Sequence, residues 1–126
     1  MLKANIIDHI NMNVRSLDET ERFYRDLFGF EVKEDQPDLK SRIIGNDNIK
    51  LCIYENPELQ ADPDQQNIAH FGFYIENFEE EVVLNECKRL NIPVTRNQEW
   101  KHSQSVYIQD PNGYEVELSK VQGGGL

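Results

Sequence analysis

The sequence predicts an α+β fold made of two βαβββ modules, because one pattern of residues occurs twice. Residues 8–32 and 69–94 each begin with a His in a short alternating run and continue into a polar helix start, an amphipathic helix and a further extended segment. The copies are about 60 residues apart, which is longer than the period of most solenoid repeats. Two copies in 126 residues therefore indicate a duplicated module within one domain of ordinary size.

The first module is predicted to begin with a strand over residues 6–14. Its two faces alternate between apolar and polar residues, as a half-buried strand requires. One face carries Ile10, Met12 and Val14, and the other carries His9, Asn11 and Asn13.

A helix follows this strand. Ser16 and Glu19 have the spacing of a capping box, and Gly29 is placed to end the helix in a left-handed conformation. Phe23, Tyr24 and Leu27 are expected to form its buried stripe. Three further strands are predicted over residues 30–34, 41–44 and 49–55. The module as a whole covers about residues 5–56.

The second module, about residues 68–120, repeats these elements. Its first strand is predicted over residues 68–75, with Phe71, Phe73 and Ile75 on one face and His70, Gly72 and Tyr74 on the other. The second helix is predicted to start at Asn77, with Glu80 completing a capping box. Its apolar stripe is formed by Val83, Cys87 and Leu90, and Pro93 prevents its continuation.

Three strands complete the second module, over residues 94–96, 105–109 and 114–120. Residues 57–67, with two prolines among polar residues, are predicted to link the modules. Residues 121–126 form a glycine-rich tail that we expect to be flexible.

Composition excludes several classes of protein. The formal net charge of −10 repels a phosphate backbone, so we expect no nucleic-acid partner. No stretch approaches the roughly 18 apolar residues of a membrane span, and residues 1–10 lack the apolar run of a secretory signal. Cys52 and Cys87 are therefore expected to be reduced thiols in a cytoplasmic protein.

His9, His70 and Glu117 are candidate metal ligands. Imidazole and carboxylate are the usual donors for divalent transition metals, and three protein ligands leave positions open for water and substrate. Glu117 alternates with Val116 and Leu118, so its side chain should face away from the core, as both histidines should. The same residues also fit an ordinary solvated histidine and an ordinary surface glutamate, and spacing alone does not separate the two interpretations.

Two segments resemble the vicinal oxygen chelate superfamily, which includes glyoxalases, bleomycin-resistance proteins, extradiol dioxygenases and fosfomycin-resistance proteins. FYRDLFGFEV (residues 23–32) is similar to the helix-to-strand segment of that family, and VYIQDPNGYEVEL (residues 106–118) to its turn and final ligand strand. The resemblance implies two βαβββ modules in a cupped mixed sheet with helices on the outer face. It also implies one divalent metal ion, Zn, Ni, Mn, Fe or Co, bound by His9, His70 and Glu117.

The function that the resemblance implies is a metal-dependent enzyme of the glyoxalase or dioxygenase type. In enzymes of this superfamily, a small oxygenated metabolite chelates the metal through two adjacent oxygens, and the metal acts as a Lewis acid. A lyase, isomerase, transferase and ring-cleaving dioxygenase all fit this description, and a homodimer is the usual assembly. The alternative is a protein of the bleomycin-resistance type, which sequesters a small molecule without catalysis, and a third possibility is an interaction domain with incidental histidines.

Six further residues are candidates for contact with the substrate. Aligning the two modules places Cys52 opposite Glu117, where glyoxalase I enzymes commonly have a Glu, so Cys52 is either a soft ligand or, more simply, a buried thiol. Tyr107, ten residues before Glu117, resembles the tyrosine of extradiol dioxygenases, although His102 fits that signature badly. The remaining candidates are Asn11 on the face of His9, and Tyr54 and Trp100 as cavity walls.

Overall fold

The secondary structure forms two βαβββ units in chain order, in a computed structural model that describes residues 1, 3, 6–62 and 68–125. The contacts divide the chain into Met1–Leu59 and Gln60–Leu126. Each unit has its own four-stranded mixed sheet and one α-helix. The predicted α+β class and the duplicated βαβββ module are therefore confirmed. Residues 63–67 of the predicted linker lie outside the described residues.

The first unit has a sheet of order β1-β4-β3-β2 with helix α1 packed against it. β1 and β4 are parallel, and the other pairs are antiparallel. The elements are β1 (Ile10–Val14), α1 (Leu17–Phe28), β2 (Glu31–Gln36), β3 (Ser41–Gly45) and β4 (Lys50–Glu55).

Helix α1 begins and ends as its sequence predicts. The Ser16 hydroxyl accepts a hydrogen bond from the Glu19 backbone N–H at 3.2 Å, and Gly29 ends the helix with φ of 69°. The buried stripe, however, is formed by Leu17, Thr20 and Tyr24, which follow the i, i+3, i+7 spacing of a helix face. Phe23 and Leu27, predicted for that stripe, are only half-buried.

The second unit has the matching sheet order β5-β8-β7-β6. β5 and β8 are parallel, and β8–β7 and β7–β6 are antiparallel. Helix α2 packs against β7. The elements are β5 (Phe71–Tyr74), α2 (Glu80–Arg89), β6 (Val94–Glu99), β7 (Gln104–Gln109) and β8 (Glu115–Ser119).

The predicted start of helix α2 at Asn77 is wrong. Asn77 has φ of 56°, a left-handed conformation that an N-cap, which is extended, does not adopt. The helix begins at Glu80 after the extended residue Glu79, which makes no side-chain capping bond. Glutamates in its first turn favour the helix electrostatically instead. Of the predicted stripe, Cys87 is fully buried, and Val83 and Leu90 are half-buried.

The strand registers show the internal duplication directly. Asn11 pairs with Cys52 in the first sheet, and Gly72 pairs with Glu117 in the second, so Cys52 and Glu117 hold equivalent positions. Irregular pairing also recurs at equivalent places, between Val32 and Glu34 in β2 and between Val94 and Arg96 in β6.

Both first strands are shorter than predicted. β1 begins at Ile10 and β5 at Phe71, where the parallel ladders to β4 and β8 start. His9 and His70 therefore lie immediately before the strands. The predicted alternation holds, since Met12 and Val14 are buried while Asn11 and Asn13 are exposed.

Gln122–Gly125 form a short 3-10 helix, and the flexibility of this tail stays a prediction. Neither α1 nor α2, the two α-helices in the described part of the chain, is long and apolar enough to cross a membrane.

Candidate metal centre

His70 and Glu117 meet on one face of the second sheet. Glu117 pairs with Gly72, two residues after His70, and residues two apart in an extended segment project to the same side. His70 Nε2 lies 3.1 Å from Glu117 Oε2. Both side chains are half-buried, and the flanking Val116 and Leu118 are buried in the opposite direction. The structure thus brings together two of the three predicted ligands.

The separation of these two donors fits a shared metal ion. Two ligands at about 2.1 Å from one metal, with an angle of about 90–109° between them, are about 3.0–3.4 Å apart. The distance from His70 Nε2 to Glu117 Oε2 is 3.1 Å. An ordinary hydrogen-bonded ion pair has the same length, so the distance is compatible with both states.

Ser105 fixes the other oxygen of the Glu117 carboxylate. Its Oγ donates to Glu117 Oε1 at 2.5 Å, and Ser105 itself is fully buried in β7. A carboxylate held in this way keeps Oε2 directed at His70. Hydrogen bonds of this type to a ligand are the usual means of orienting a metal site.

Glu115 occupies the opposite side of the His70 ring. Its Oε1 lies 3.8 Å from His70 Nδ1 and accepts a hydrogen bond from Arg96 Nη2 at 2.9 Å, and its Oε2 accepts one from Thr95 Oγ1 at 2.9 Å. Glu115 and Arg96 were not among the residues predicted for this site. Glu115 could have been found from its parity, because it lies two residues before Glu117 in β8 and so faces the same side. Nothing in the local sequence pattern distinguishes Arg96.

Tyr107 packs against the His70 ring and is also in contact with Arg96 and Trp100. Its ring meets the His70 imidazole edge-on, with centroids 5.4 Å apart, and the Arg96 guanidinium stacks on it at 3.8 Å. Trp100 Nε1 donates to Tyr107 Oη at 3.1 Å. Burial, followed by the negative charge of Glu117, raises the pKa of the Tyr107 phenol. The phenol therefore keeps its proton at neutral pH.

The remaining predicted ligand, His9, lies in the first unit. It is exposed, and its Nδ1 lies 2.7 Å from Asp8 Oδ2. Taking each unit by itself, the described residues contain no group of three His, Cys, Asp or Glu side chains placed to hold a metal ion. The full three-ligand set therefore stays a prediction.

The predicted substrate residues of the first unit lie on β1 and β4. Asn11 is exposed, and Cys52 and Tyr54 are half-buried. Burial, with a smaller contribution from Asp8, raises the pKa of the Cys52 thiol, which makes it a poor thiolate at neutral pH. The neighbouring Glu55 points elsewhere, because its Oε2 accepts the Leu17 N–H at 3.0 Å and caps α1.

His102 and Trp100 lie in the loop between β6 and β7. Both are exposed, and both line an open cavity with a volume of about 270 Å³. Through its hydrogen bond to Tyr107, Trp100 is one residue removed from the pair of His70 and Glu117.

Comparison with known proteins identifies the family. Residues 6–118 match the family model of the Glyoxalase/Bleomycin resistance protein/Dioxygenase superfamily. The chain belongs to this superfamily. The match covers both modules, and it confirms the resemblance to vicinal oxygen chelate proteins that the sequence showed.

Individual glyoxalase-superfamily proteins are similar over most of their length. Metallothiol transferase FosB from Staphylococcus epidermidis is 24% identical, with 89% of this chain and 81% of FosB covered. The structure of lactoylglutathione lyase from Agrobacterium tumefaciens matches with a TM-score of 0.73 at 28% identity. The match covers 96% of this chain and 98% of the lyase chain.

A second similar structure is that of the fosfomycin-resistance protein FosX from Listeria monocytogenes. Its TM-score is 0.79 at 20% identity, and the match covers 98% of this chain and 100% of FosX. At that identity the likeness shows the fold, and it confirms the glyoxalase architecture. FosX has also been crystallised with Mn(II) and a sulfate ion.

Proposed function

We propose that this glyoxalase-superfamily chain is a metal-dependent enzyme that acts on a small oxygenated metabolite chelated to one divalent metal ion. The observation that carries the proposal is the 3.1 Å separation of His70 Nε2 and Glu117 Oε2, with the second carboxylate oxygen fixed by Ser105. His9 is the third ligand, supplied either by the same chain or by a second copy in a homodimer.

The metal, when bound, supplies a Lewis acid that polarises two adjacent substrate oxygens. The protein's own contribution is orientation and charge. Ser105 sets the direction of the Glu117 carboxylate, and Glu115 places a negative charge behind His70 Nδ1, which favours the tautomer with its proton on Nδ1 and its lone pair on Nε2.

Tyr107 is the proton-bearing group next to this centre. Its oxygen already accepts the Trp100 N–H. The phenol can therefore donate its own hydrogen to a negatively charged oxygen, whether the carboxylate of Glu117 or an oxyanion of the substrate. Its ring, clamped by Arg96, has little freedom to turn away.

The relatives support a metal but leave the reaction open. FosX binds Mn(II) in a crystal structure, FosB is named a metallothiol transferase, and the similar structure from Agrobacterium tumefaciens is that of a lyase. Mn, Zn, Ni and Co would favour isomerase, lyase or transferase chemistry, and Fe would favour ring-cleaving oxygen chemistry. A cytoplasmic homodimer is part of the proposal, and light scattering on the purified protein tests the assembly.

The deciding experiment measures metal content and affinity. Protein purified without chelator or metal resin should contain nearly one transition-metal ion per chain by elemental analysis. His70→Ala and Glu117→Gln should each weaken binding of added Mn(II) or Zn(II) about 100-fold or more, because a lost ligand costs more than a lost orienting partner. His9→Ala tests the third ligand in the same assay.

The matched control is His102→Ala, which removes an exposed loop histidine and should leave metal affinity unchanged. Unchanged metal affinity in His70→Ala would refute the ligand assignment. A chain that binds no divalent ion, yet retains a small molecule at full affinity, would establish the sequestering function of bleomycin-resistance proteins instead.

A further inference from the structure

An open cavity lies beside Trp100, and backbone and side-chain hydrogen bonds hold the loop that lines it. Three hydrogen bonds tie the loop between β6 and β7 to itself and to the end of β8: Trp100 N to Ser103 O, Lys120 N to Gln104 O, and a contact of Ser103 Oγ with Ser119 Oγ. The volume of about 270 Å³ lies just below the range of roughly 300–1,000 Å³ of small-molecule sites. It therefore suits a metabolite of modest size.

One wall of this cavity is the flat, apolar face of an indole. Trp100 is 44% exposed, although its only polar atom, Nε1, is already bonded to Tyr107 Oη. The exposed part of the ring is therefore hydrocarbon surface, which is normally buried. Val121 adds a second apolar contact. A planar, apolar group stacked on Trp100 would cover this surface.

The lining also contains two side chains that can donate hydrogen bonds to an anion. Lys120 and His102 both line the cavity. Among the described residues, no carboxylate lies within ion-pair distance of the Lys120 ammonium, whereas Arg42, Arg89 and Arg96 all have acidic partners. Glu99 also lines the cavity, and its charge opposes that of Lys120. The Lys120 ammonium and a ring N–H of His102 can both donate hydrogen bonds to a carboxylate, and these two donors favour an anion of that type.

We propose that this cavity binds a flat organic anion, of the aryl carboxylate class, with its ring on Trp100 and its carboxylate between Lys120 and His102. The inference goes beyond the proposed function, because none of the residues that line the cavity is a proposed metal ligand. Trp100 connects the cavity to the metal centre only through Tyr107, which contacts His70. Binding itself requires no metal, so it is tested separately from the metal centre.

The test is an NMR titration of metal-free protein. The chain has a single tryptophan, so one indole N–H resonance reports on Trp100. Benzoate is expected to shift this resonance and the amides of Ser103 and Lys120. Benzamide, which has the ring but no charge, and acetate, which has the charge but no ring, should each bind several-fold more weakly.

Charge variants decide between an anion site and a cation site. Lys120→Gln should weaken benzoate binding about two- to five-fold, as is usual for one solvent-exposed ion pair, and Glu99→Gln should strengthen it by a similar factor. Lys101→Gln is the matched control, since Lys101 is in the same loop but does not line the cavity, and it should change the dissociation constant by less than Lys120→Gln.

Three results would overturn the assignment. If benzamide bound as tightly as benzoate, the site would not require a negative charge on its ligand. If acetate bound as tightly as benzoate, the site would not require an aromatic ring. Equal effects of Lys101→Gln and Lys120→Gln would show only diffuse electrostatic attraction. A metal-free protein that binds benzoate as expected but never binds Mn(II) would leave the cavity in place and refute the metal centre, so the two failures are distinguishable.

Discussion

Replacing Ser105 with Ala tests whether Glu117 is a metal ligand whose geometry the protein sets in advance. The change removes the hydroxyl that donates to Glu117 Oε1 at 2.5 Å and leaves the rest of the site in place. Hydrogen bonds to charged groups contribute about 1.5–3 kcal/mol, which is a factor of about 10 to 150 in a binding constant. Loss of an orienting partner typically weakens metal binding 10–100-fold. We therefore expect metal affinity to fall about 10- to 100-fold.

The assay is competition for Mn(II) or Zn(II) against a chelator of known affinity. Ser41→Ala is the matched control, because Ser41 holds the equivalent position in β3 and is similarly buried. Its hydroxyl donates at 2.8 Å to the neutral amide of Gln36. This control should lose a comparable amount of stability and no metal affinity.

Two outcomes would refute the reasoning. Wild-type metal affinity in Ser105→Ala would mean that the hydrogen bond does not orient a ligand. An equal loss of affinity in Ser41→Ala would mean that general loosening of the fold, and not the direction of the Glu117 carboxylate, controls binding.

Further predictions concern the turn before β8 and the thiols. The buried carboxylate of Asp110 accepts the N–H groups of Asn112 and Tyr114 at 2.8 and 2.9 Å, so Asp110→Ala should lower the free energy of unfolding in urea by about 2–4 kcal/mol. Asp110→Asn keeps an acceptor oxygen and should lose about half as much or less; an equal loss in both would contradict this explanation. The second prediction is that iodoacetamide labels the half-buried Cys52 much faster than the fully buried Cys87, with the fast phase absent in Cys52→Ser. Burial, and to a smaller extent the charge of Glu86, raises the pKa of the Cys87 thiol in the folded protein. As the pH rises above about 9, the unfolded chain therefore loses this proton before the folded protein does, and the free energy of unfolding should fall. The fall should be smaller in Cys87→Ser.

Helix ends show how far local sequence determines this fold. For α1, the capping serine, the acidic first turn and the terminal glycine agree, and the helix begins and ends where they predict. For α2, Asn77 and Glu80 have the same spacing, but Asn77 takes a left-handed conformation and the buried Phe78 follows it before the helix starts. A capping pattern fixes a helix start only when the backbone before it is free to be extended.

In the candidate site, too, local sequence predicts some features and tertiary structure decides the others. Strand parity predicts that His70 and Glu117 face one side, and the structure agrees, because alternation is a local property of any strand. The parity of Glu115 places it on the same face, but the importance of Arg96 depends on strand pairing, which the local sequence does not show. Arg96 stands opposite Tyr107 only through the register of β6 on β7, including the irregularity after Val94.

The sequence by itself determined the duplicated βαβββ module, the alternation of the strands and the chemical nature of the donors. Only the tertiary structure decided that His70 Nε2 and Glu117 Oε2 are 3.1 Å apart, that Ser105 holds the second oxygen, and that Trp100 is tied to Tyr107. The physical reason is that side-chain direction repeats every two residues within one strand. Distances between strands depend instead on register, and register is set by turns and by packing between residues far apart in the chain.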